Sequence, residues 1–598
     1  MIISHYQQEL AIVNSQIKHY TELVNRYSLF RLGTIIGGLT ILFVSFKFDS
    51  PWLSAGIAIL IVLLFIWLIA TQNKYDQQKE YHINLKKVLE NELNVMSKQA
   101  SIYNNGHTFE DDHHSYTSDL DIFGPKSLFQ LINRCATVQG IEELSAWLKH
   151  PADINAINSR QEAVKEICQK HKWRTHFQTL LLFNLSLKEN PVEGLLRYLK
   201  LPRENHKLLR RYVMVAPWLF IGLLCASFLI PKLFAFVIAL GISHIGIIIN
   251  NQLYINKTDV LVGKIGKTLS DFSAAFKAIE NENWQSSLCI HLTDSMKSNT
   301  ESTISETINL LSSLIIKLDY RLNVYVAVIL NAIFLWDLRQ VFAIENWKEL
   351  NKANIDEAFH CLAKFEVLNS MACLSANNSS WIFPEIIESE NCTYEAKELG
   401  HPLIAQNLRI TNNYELINDR KIDIITGSNM AGKSTFLRTL GINAVLGLSG
   451  ASVCASQMRL SPIQLVTYMR IRDSLNESTS TFKAELNRLQ LVLETVPKTS
   501  NTFFLIDEML RGTNSVDKYR GSKAVVEKLI AGKGVGVVAT HDLQVAHLIE
   551  KYPDYIRNFY FDIQVKDNEM HFDYKLKQGE CKTFNASLLL KQIGIEVD

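Results

Sequence analysis

The sequence predicts a multi-pass membrane protein in three parts: two hairpins of membrane-crossing helices, an all-α core, and a carboxy-terminal α/β domain of the doubly wound kind. Three observations carry this. Four long apolar runs occur as two close pairs, 29–46 with 53–70 and 213–230 with 233–249. A short apolar strand, Ile422-Asp-Ile-Ile425, leads into a glycine-rich loop and then a helical pattern from Phe436. Two further apolar strands follow, at 502–506 and 535–540.

The apolar runs come first. About 20 apolar residues cross a hydrocarbon core of about 30 Å, so each run is near the required length. The first pair is parted by 47–52 and the second only by Pro231 and Lys232. The alternative, buried helices of a large soluble core, fits two such closely spaced pairs less well. Lys18, Arg26 and Arg31 precede the first pair, and Lys74, Lys79, Lys86 and Lys87 follow it. Arg203, Lys207, Arg210 and Arg211 precede the second pair, and Lys257 follows it. Within the pairs the loops hold only Lys47 and Lys232 as basic residues. The positive-inside rule then turns both hairpin tips outward and leaves the termini, the core and the α/β domain cytoplasmic. Arg31, at the edge of its run, is expected to snorkel to the headgroups. The stretch before residue 29 is too long and too weakly charged for a signal peptide.

Outside the first pair the pattern is helical. Ile3, Tyr6, Leu10, Val13, Ile17, Tyr20 and Val24 recur in steps of three and four. Tyr81, Leu85, Leu89, Leu93 and Met96 form a looser stripe. A hairpin lays these arms side by side and antiparallel; the seam serves either that packing or dimerisation.

Composition bounds the rest. At roughly 150 residues per domain, 598 residues allow about four domains. An apolar fraction of 47% with 20% charged residues excludes wholesale disorder. Lys plus Arg number 61 and Asp plus Glu 60, which argues against a chain built mainly to coat nucleic acid. Nine cysteines without a CxxC pair argue against a disulfide scaffold or zinc ribbon and fit a reducing compartment.

The loop after the 422–425 strand reads Gly427-Ser428-Asn429-Met430-Ala431-Gly432-Lys433-Ser434-Thr435, a full G-x-x-x-x-G-K-[ST] pattern between strand and helix. Its glycines let backbone N–H groups converge on phosphate oxygens, and the helix N-terminus adds partial positive charge. Lys433 would reach the β- and γ-phosphates of ATP, and Ser434 would ligate Mg2+. Strand 502–506 delivers Asp507 and Glu508 to the sheet edge, where Asp507 would hold Mg2+ and Glu508 would polarise the attacking water. His541, ending the 535–540 strand, is placed to sense the γ-phosphate.

These residues carry a resemblance. The stretches 426–455, 505–514 and 539–542 resemble the ATPase domain of the MutS family, the DNA mismatch repair ATPases. Asn429 and Met430 match its G-x-N-M-x-G-K-S-T loop, Asp507 to Asn514 its D-E-x-x-R-G-T segment, and Ala539-Thr-His541 its A-T-H strand end. Ser480-Thr481-Phe482 with Glu485 resembles the S-T-F-x-x-E element, which in that family reaches the partner's nucleotide as the signature loop of ABC ATPases does. His401-Pro402 resembles the pair near the nucleotide base, and 583–595 the closing helix. More faintly, Ser127 to Arg134, Thr137, Gly140, Trp147 to Pro151, 153–167 and 358–376 resemble the helical core. The resemblance implies an ABC-like P-loop ATPase domain at 395–598 and a core at 119–394 interrupted by the second hairpin. Residues 1–105 form the first hairpin with its arms. It also implies a homodimer with Ser480 and Thr481 acting in trans, and ATP-dependent binding of mismatched DNA. The second hairpin stands where relatives insert a DNA-gripping clamp, no room is left for an amino-terminal mismatch-reading domain, and no Phe-x-Glu wedge stands in a suitable setting. The alternative is therefore a mechanochemical ATPase acting on the lipid bilayer or an unknown protein partner, without DNA. A full transporter is the weaker third reading, since His244 is the one candidate pathway residue in the runs and suits packing better.

Lesser features are read as local. Asp111-Asp112-His113-His114 is expected to be a solvated loop rather than a metal site. The Arg203–Arg211 run is expected to face anionic lipid rather than DNA. Met458, Met469 and Met509 are expected to pack.

Overall fold

The computed structural model describes residues 2–48, 50–97, 101–187, 190–204, 206–297, 302–389, 392–416, 421–428, 431–469, 481–498, 501–511, 514–566 and 569–581. They divide into two units. One comprises 1–102, 171–281 and 298–353; the other comprises 103–170, 282–297 and 354–598.

The first unit is helical. Helices Ile2–Ser45 and Pro51–Met96 form the first hairpin and are its most extensive pairing. Ser50 precedes Pro51, whose fixed φ suits a helix start. Gly38 lets the helices touch, since a Cβ there would lie 2.9 Å from Cγ2 of Ile61. Ser45 and Ser54 share a 3.0 Å hydrogen bond near the tip. At the other end the arms close a seam of Tyr6, Val13 and Leu89, flanked by Leu10, Ile17, Leu85, Leu93 and Met96. The seam is thus used within the chain. Ile3 does not join it; Ile2 packs there and Ile3 is 50% exposed. Arg31 donates to Gln72 at 2.9 Å and lies over the Phe65 ring.

Helices Lys207–Leu229 and Phe234–Asn250 form the second hairpin around Pro231 and Lys232. Both ring nitrogens of His244 are engaged, by Tyr212 Oη at 2.9 Å and the Ala332 carbonyl at 2.8 Å, so it is a satisfied packing residue. The basic run before it turns partly inward. Arg210 pairs with Glu345 and lies over Phe342, and Arg203 donates to Asn346.

Among the described residues, four helical segments are long and apolar enough to cross a membrane: Ile2–Phe48, Pro51–Met96, Lys207–Leu229 and Pro231–Asn250. Their apolar side chains are largely uncovered, Phe43, Trp52, Leu60, Trp218 and Phe228 among them.

The second unit combines helices with two sheets. Strands β1 (Glu385–Ile386), β2 (Tyr394–Leu399), β3 (Asn412–Leu416) and β5 (Gln457–Leu460) make a small sheet in the order β1-β5-β2-β3. Strands β4 (Ile422–Thr426), β6 (Gln464–Tyr468), β7 (Thr502–Asp507), β8 (Val535–Thr540), β9 (Ile556–Lys566) and β10 (Glu569–Gln578) make a larger one in the order β10-β9-β4-β8-β7-β6. All its neighbours run parallel except β9 and β10. Strands β4, β7 and β8 are buried along their whole length, as near-continuous apolar runs with both faces covered should be. Met458, Met469 and Met509 are buried packing residues.

Within this unit Glu366 holds the start of the Val138–Lys149 helix. Its buried carboxyl accepts from Ala136 N at 2.7 Å, Thr137 N at 3.2 Å and Thr137 Oγ1. Burial pushes this acid up to about 7 against those hydrogen bonds. Its native value lies above its unfolded one, so its contribution to stability is full below the unfolded value and is lost as pH rises toward 7. The shift is worth on the order of 3 kcal/mol. Melting of the solubilised protein should fall between about pH 5 and 7, and Glu366→Gln should flatten that slope.

Candidate active site

The site forms where parallel strands end together. Thr426 pairs in register with Thr540, and Asp507 with Ala539, so the loop after β4, His541 after β8 and Asp507-Glu508 on β7 share one edge. The carboxyl edge of a doubly wound sheet is where such folds bind ligands.

Helix Lys433–Ser449 follows the loop, with Gly432 as its N-cap at a left-handed φ of 101°. Gly427 has φ 144°, and a Cβ there would meet the Phe561 carbonyl at 2.9 Å. Gly427 is required by close backbone approach as well as by conformation, and Gly432 by its left-handed φ. Lys433 is buried, and its Nζ donates to the carbonyls of Gly427 at 2.7 Å and Ser428 at 2.8 Å. It also lies 3.9 Å from Glu508. Burial lowers its pKa while Glu508 and Asp507 hold it up.

Asp507 is nearly enclosed, and burial raises its pKa against a hydrogen bond with Ser434. Its Oδ1 is a buried carboxylate oxygen without a hydrogen-bond partner. An orphaned carboxylate oxygen beside a serine hydroxyl is the donor set of a hard divalent cation, so the residues fit Mg2+.

Glu508 sits at φ 54° and Leu510 at 56°, conformations that side chains seldom adopt. His541 Nδ1 is 3.4 Å from Glu508 Oε1, and Arg511 Nε is 3.6 Å from Oε2. His541 at this distance is the main reason the Glu508 pKa falls to about 2, and Lys433 and Arg511 add to it. Lys518 Nζ lies 3.2 Å from His541 Nε2. A lysine ammonium only donates, so Nε2 accepts and the ring proton sits on Nδ1, toward Glu508.

Beside the loop is a cavity of about 270 Å³ lined by His401, Ile404, Ile410, Asn412, Thr435 and Tyr574. Tyr574, on β10 at φ 51°, lies against Gly432, whose added Cβ would be 2.9 Å from its ring. Asn412 holds this strand, donating to the Tyr574 carbonyl at 3.0 Å and accepting from Leu576 N at 2.8 Å. A larger cavity of about 750 Å³, lined by residues including Trp147, His150 and Ile463, contains none of these site residues.

The structure therefore brings together Gly427, Ser428, Ala431, Gly432, Lys433, Ser434, Thr435, Asp507, Glu508 and His541. Asn429, Met430 and Ser480 lie outside the described residues, as do 583–595 and the side chains of Thr481 and Phe482. Glu485 is buried on the Thr481–Thr495 helix, and Arg488 on that helix donates to the carbonyls of His114 and Ser115. His114 is half-buried beside His150, and burial lowers its pKa to about 4, so it belongs to the packing. Among the described residues a different group, His5, Glu9 and His171, has the spacing of metal ligands. Arg174 donates to His171 Nδ1 at 3.2 Å, which leaves the proton on Nε2 toward Glu9, the wrong tautomer for a ligand.

Lys518 and Tyr574 had no motif to mark them. Lys518 lies on a helix beyond the acidic pair, and Tyr574 is carried by an antiparallel hairpin from the far end of the chain.

The family model described as MutS domain V matches residues 423–590, and that described as MutS domain III matches residues 109–372. The chain belongs to the MutS family. The DNA mismatch repair protein MutS of Aquifex pyrophilus is 29% identical over 239 residues, 39% of this chain and 27% of the relative. MutS protein homolog 4 of Homo sapiens is 29% identical over 259 residues, 40% and 27% of the two chains. The MutS of Thermotoga petrophila is 31% identical over 239 residues, 39% and 29%. The match to MutS thus spans under a third of these relatives' length. Both apolar helices of the second hairpin fall inside the domain III match.

Proposed function

We propose that this chain is a MutS-type, Mg2+-dependent ATPase held in a membrane by its two helical hairpins, and that its nucleotide state governs binding of duplex DNA, mismatched duplex included. The observation that supports it most is the shared strand edge, with the loop lysine, an orphaned Asp507 oxygen and a cation-ringed Glu508 converging.

The residues divide the work. Loop N–H groups and Lys433 receive the β- and γ-phosphates, and the nucleotide base enters the slot between His401 and Tyr574. Ser434 and Asp507 would hold Mg2+, which supplies positive charge against the phosphate oxygens. Lys433 leaves the Gly427 and Ser428 carbonyls for the phosphates and so moves its charge from Glu508. Glu508, freed of one cation, becomes a better acceptor for the proton of the attacking water. His541 orients Glu508 and faces the γ-phosphate. Ser480 and Thr481 of a second copy complete the site, which makes a homodimer the working unit. The basic residues flanking the hairpins support an orientation with both termini and the catalytic unit cytoplasmic.

Lys518→Met should leave ATP affinity unchanged and lower turnover, because His541 then no longer has a fixed tautomer. Steady-state kinetics check this, and Lys518→Arg should restore the rate.

DNA enters from the names of the relatives, which are mismatch repair proteins. The second reading, a protein or lipid partner instead of DNA, is favoured by the long apolar helices inside the domain III match and by the net charge of +1. Binding of the solubilised full chain to matched and mismatched duplexes, with and without ATP across a salt series, separates the two. Nucleotide-sensitive binding that falls steeply with salt supports DNA. No binding at low salt, with ATP hydrolysis intact, overturns the DNA reading and leaves the second.

A further inference from the structure

We propose that residues 322–336 form a short re-entrant element lying among lipid acyl chains beside the second hairpin. This rests on the membrane reading above and extends it to a segment too short to cross. From Leu322 to Trp336 the chain carries no Asp, Glu, Lys or Arg. Its helix, Val324–Phe334, has 11 residues. At about 1.5 Å per residue it reaches ~16 Å, roughly half a hydrocarbon core of about 30 Å.

A charge-free run of this length is either a buried core helix or a re-entrant one, and exposure decides between them. Tyr325 is 84% exposed, Val324 70% and Ile329 60%. The opposite side rests on the hairpin. The Ala332 carbonyl meets His244 Nδ1 at 2.8 Å, and a Cβ built on Gly241 would lie 3.6 Å from that of Ala332. Gly241 and His244 lie in the middle and second half of the Phe234–Asn250 helix, whose Phe236, Ile238 and Ile242 are themselves exposed. The uncovered face of the short helix therefore continues an apolar surface assigned to lipid.

The backbone and the ends are finished as lipid demands. The Asn323 side chain accepts from Tyr325 N at 3.2 Å and Val326 N at 3.3 Å, closing helix-start donors without water. Asn331 Oδ1 accepts from Asp337 N at 3.0 Å. A bend of 77° separates this helix from Trp336–Asn377. The flanking charges gather: Arg321 donates to Asn256 at 3.0 Å and lies 3.6 Å from Asp259 and 3.7 Å from Asp337. The rings of Tyr320 and Trp336 stack 6.3 Å apart. Residues from both sides of the apolar stretch thus meet in one polar, aromatic cluster, as when a segment enters and leaves a bilayer on the same side.

The test uses the full chain carrying Cys225→Ser, reconstituted in vesicles of phosphatidylcholine and phosphatidylglycerol. An environment-sensitive fluorophore is attached at Tyr325→Cys or Ile329→Cys, with Leu219→Cys as the spanning reference and Lys352→Cys as the aqueous one. Loss of fluorescence to spin-labelled lipid, with none to iodide, is expected at 325 and 329 as at 219. Iodide quenching at 325 and 329, with 219 still quenched only by lipid, overturns the proposal and spares the hairpins. Iodide quenching at 219 as well overturns the membrane reading itself.

Discussion

Glu508→Gln should bind ATP with near wild-type affinity while steady-state turnover falls by about two to four orders of magnitude. The substitution keeps the shape of a side chain held between His541 at 3.4 Å and Arg511 at 3.6 Å and removes its capacity to take a proton. The loop and Lys433 are untouched, so the phosphate contacts proposed for them are kept. Equilibrium binding of a fluorescent ATP analogue and a phosphate-release assay report the two quantities separately. Turnover that survives would take the base assignment away from Glu508.

Lys433→Met should act at the other step. In the proposed site Lys433 brings the positive charge for the β- and γ-phosphates, and it is almost wholly buried. A charge-assisted contact of this kind removed from a desolvated site should weaken ATP binding by about 100-fold, or ~2.7 kcal/mol. The fold should persist, because methionine fills most of the volume and the two carbonyls that lose a donor lie at the loop. Titration calorimetry of the solubilised protein, beside its melting curve, checks both statements. Unchanged affinity would mean that the nucleotide does not sit on this loop.

The two variants bear on what the sequence can and cannot reveal. The glycine-rich loop was legible because its pattern is local: strand, glycines, lysine and helix follow one another within fifteen residues, from Ile422 to Phe436. Asp507 and His541 were legible because each ends an apolar strand, and parallel strands deliver their ends to one edge. Lys518 and Tyr574 were not, since nothing in their neighbourhoods encodes the fold-wide pairing that places β10 over Gly432 or a helix beside His541. The arms show the same limit on a smaller scale. Their stripe was visible, yet Ile2 and not Ile3 packs in it, because a heptad pattern fixes the seam only to about one residue. Arg210 is expected from the sequence to face anionic lipid, whereas Glu345 claims it, a partner that only the tertiary arrangement supplies. The apolar stretch at 324–334 escaped notice because it is too short to register as a span; its exposure in the fold brings it forward.

The central claim is that a MutS-type catalytic site works on a membrane-held chain. ATP hydrolysis by the full chain reconstituted in phospholipid vesicles, measured with Mg2+ and then with the ion chelated, tests it most directly. The account predicts turnover that floats with the vesicles, requires Mg2+ and disappears in Glu508→Gln. Vesicles that carry no chain, or turnover indifferent to Mg2+ and to Glu508, would contradict it.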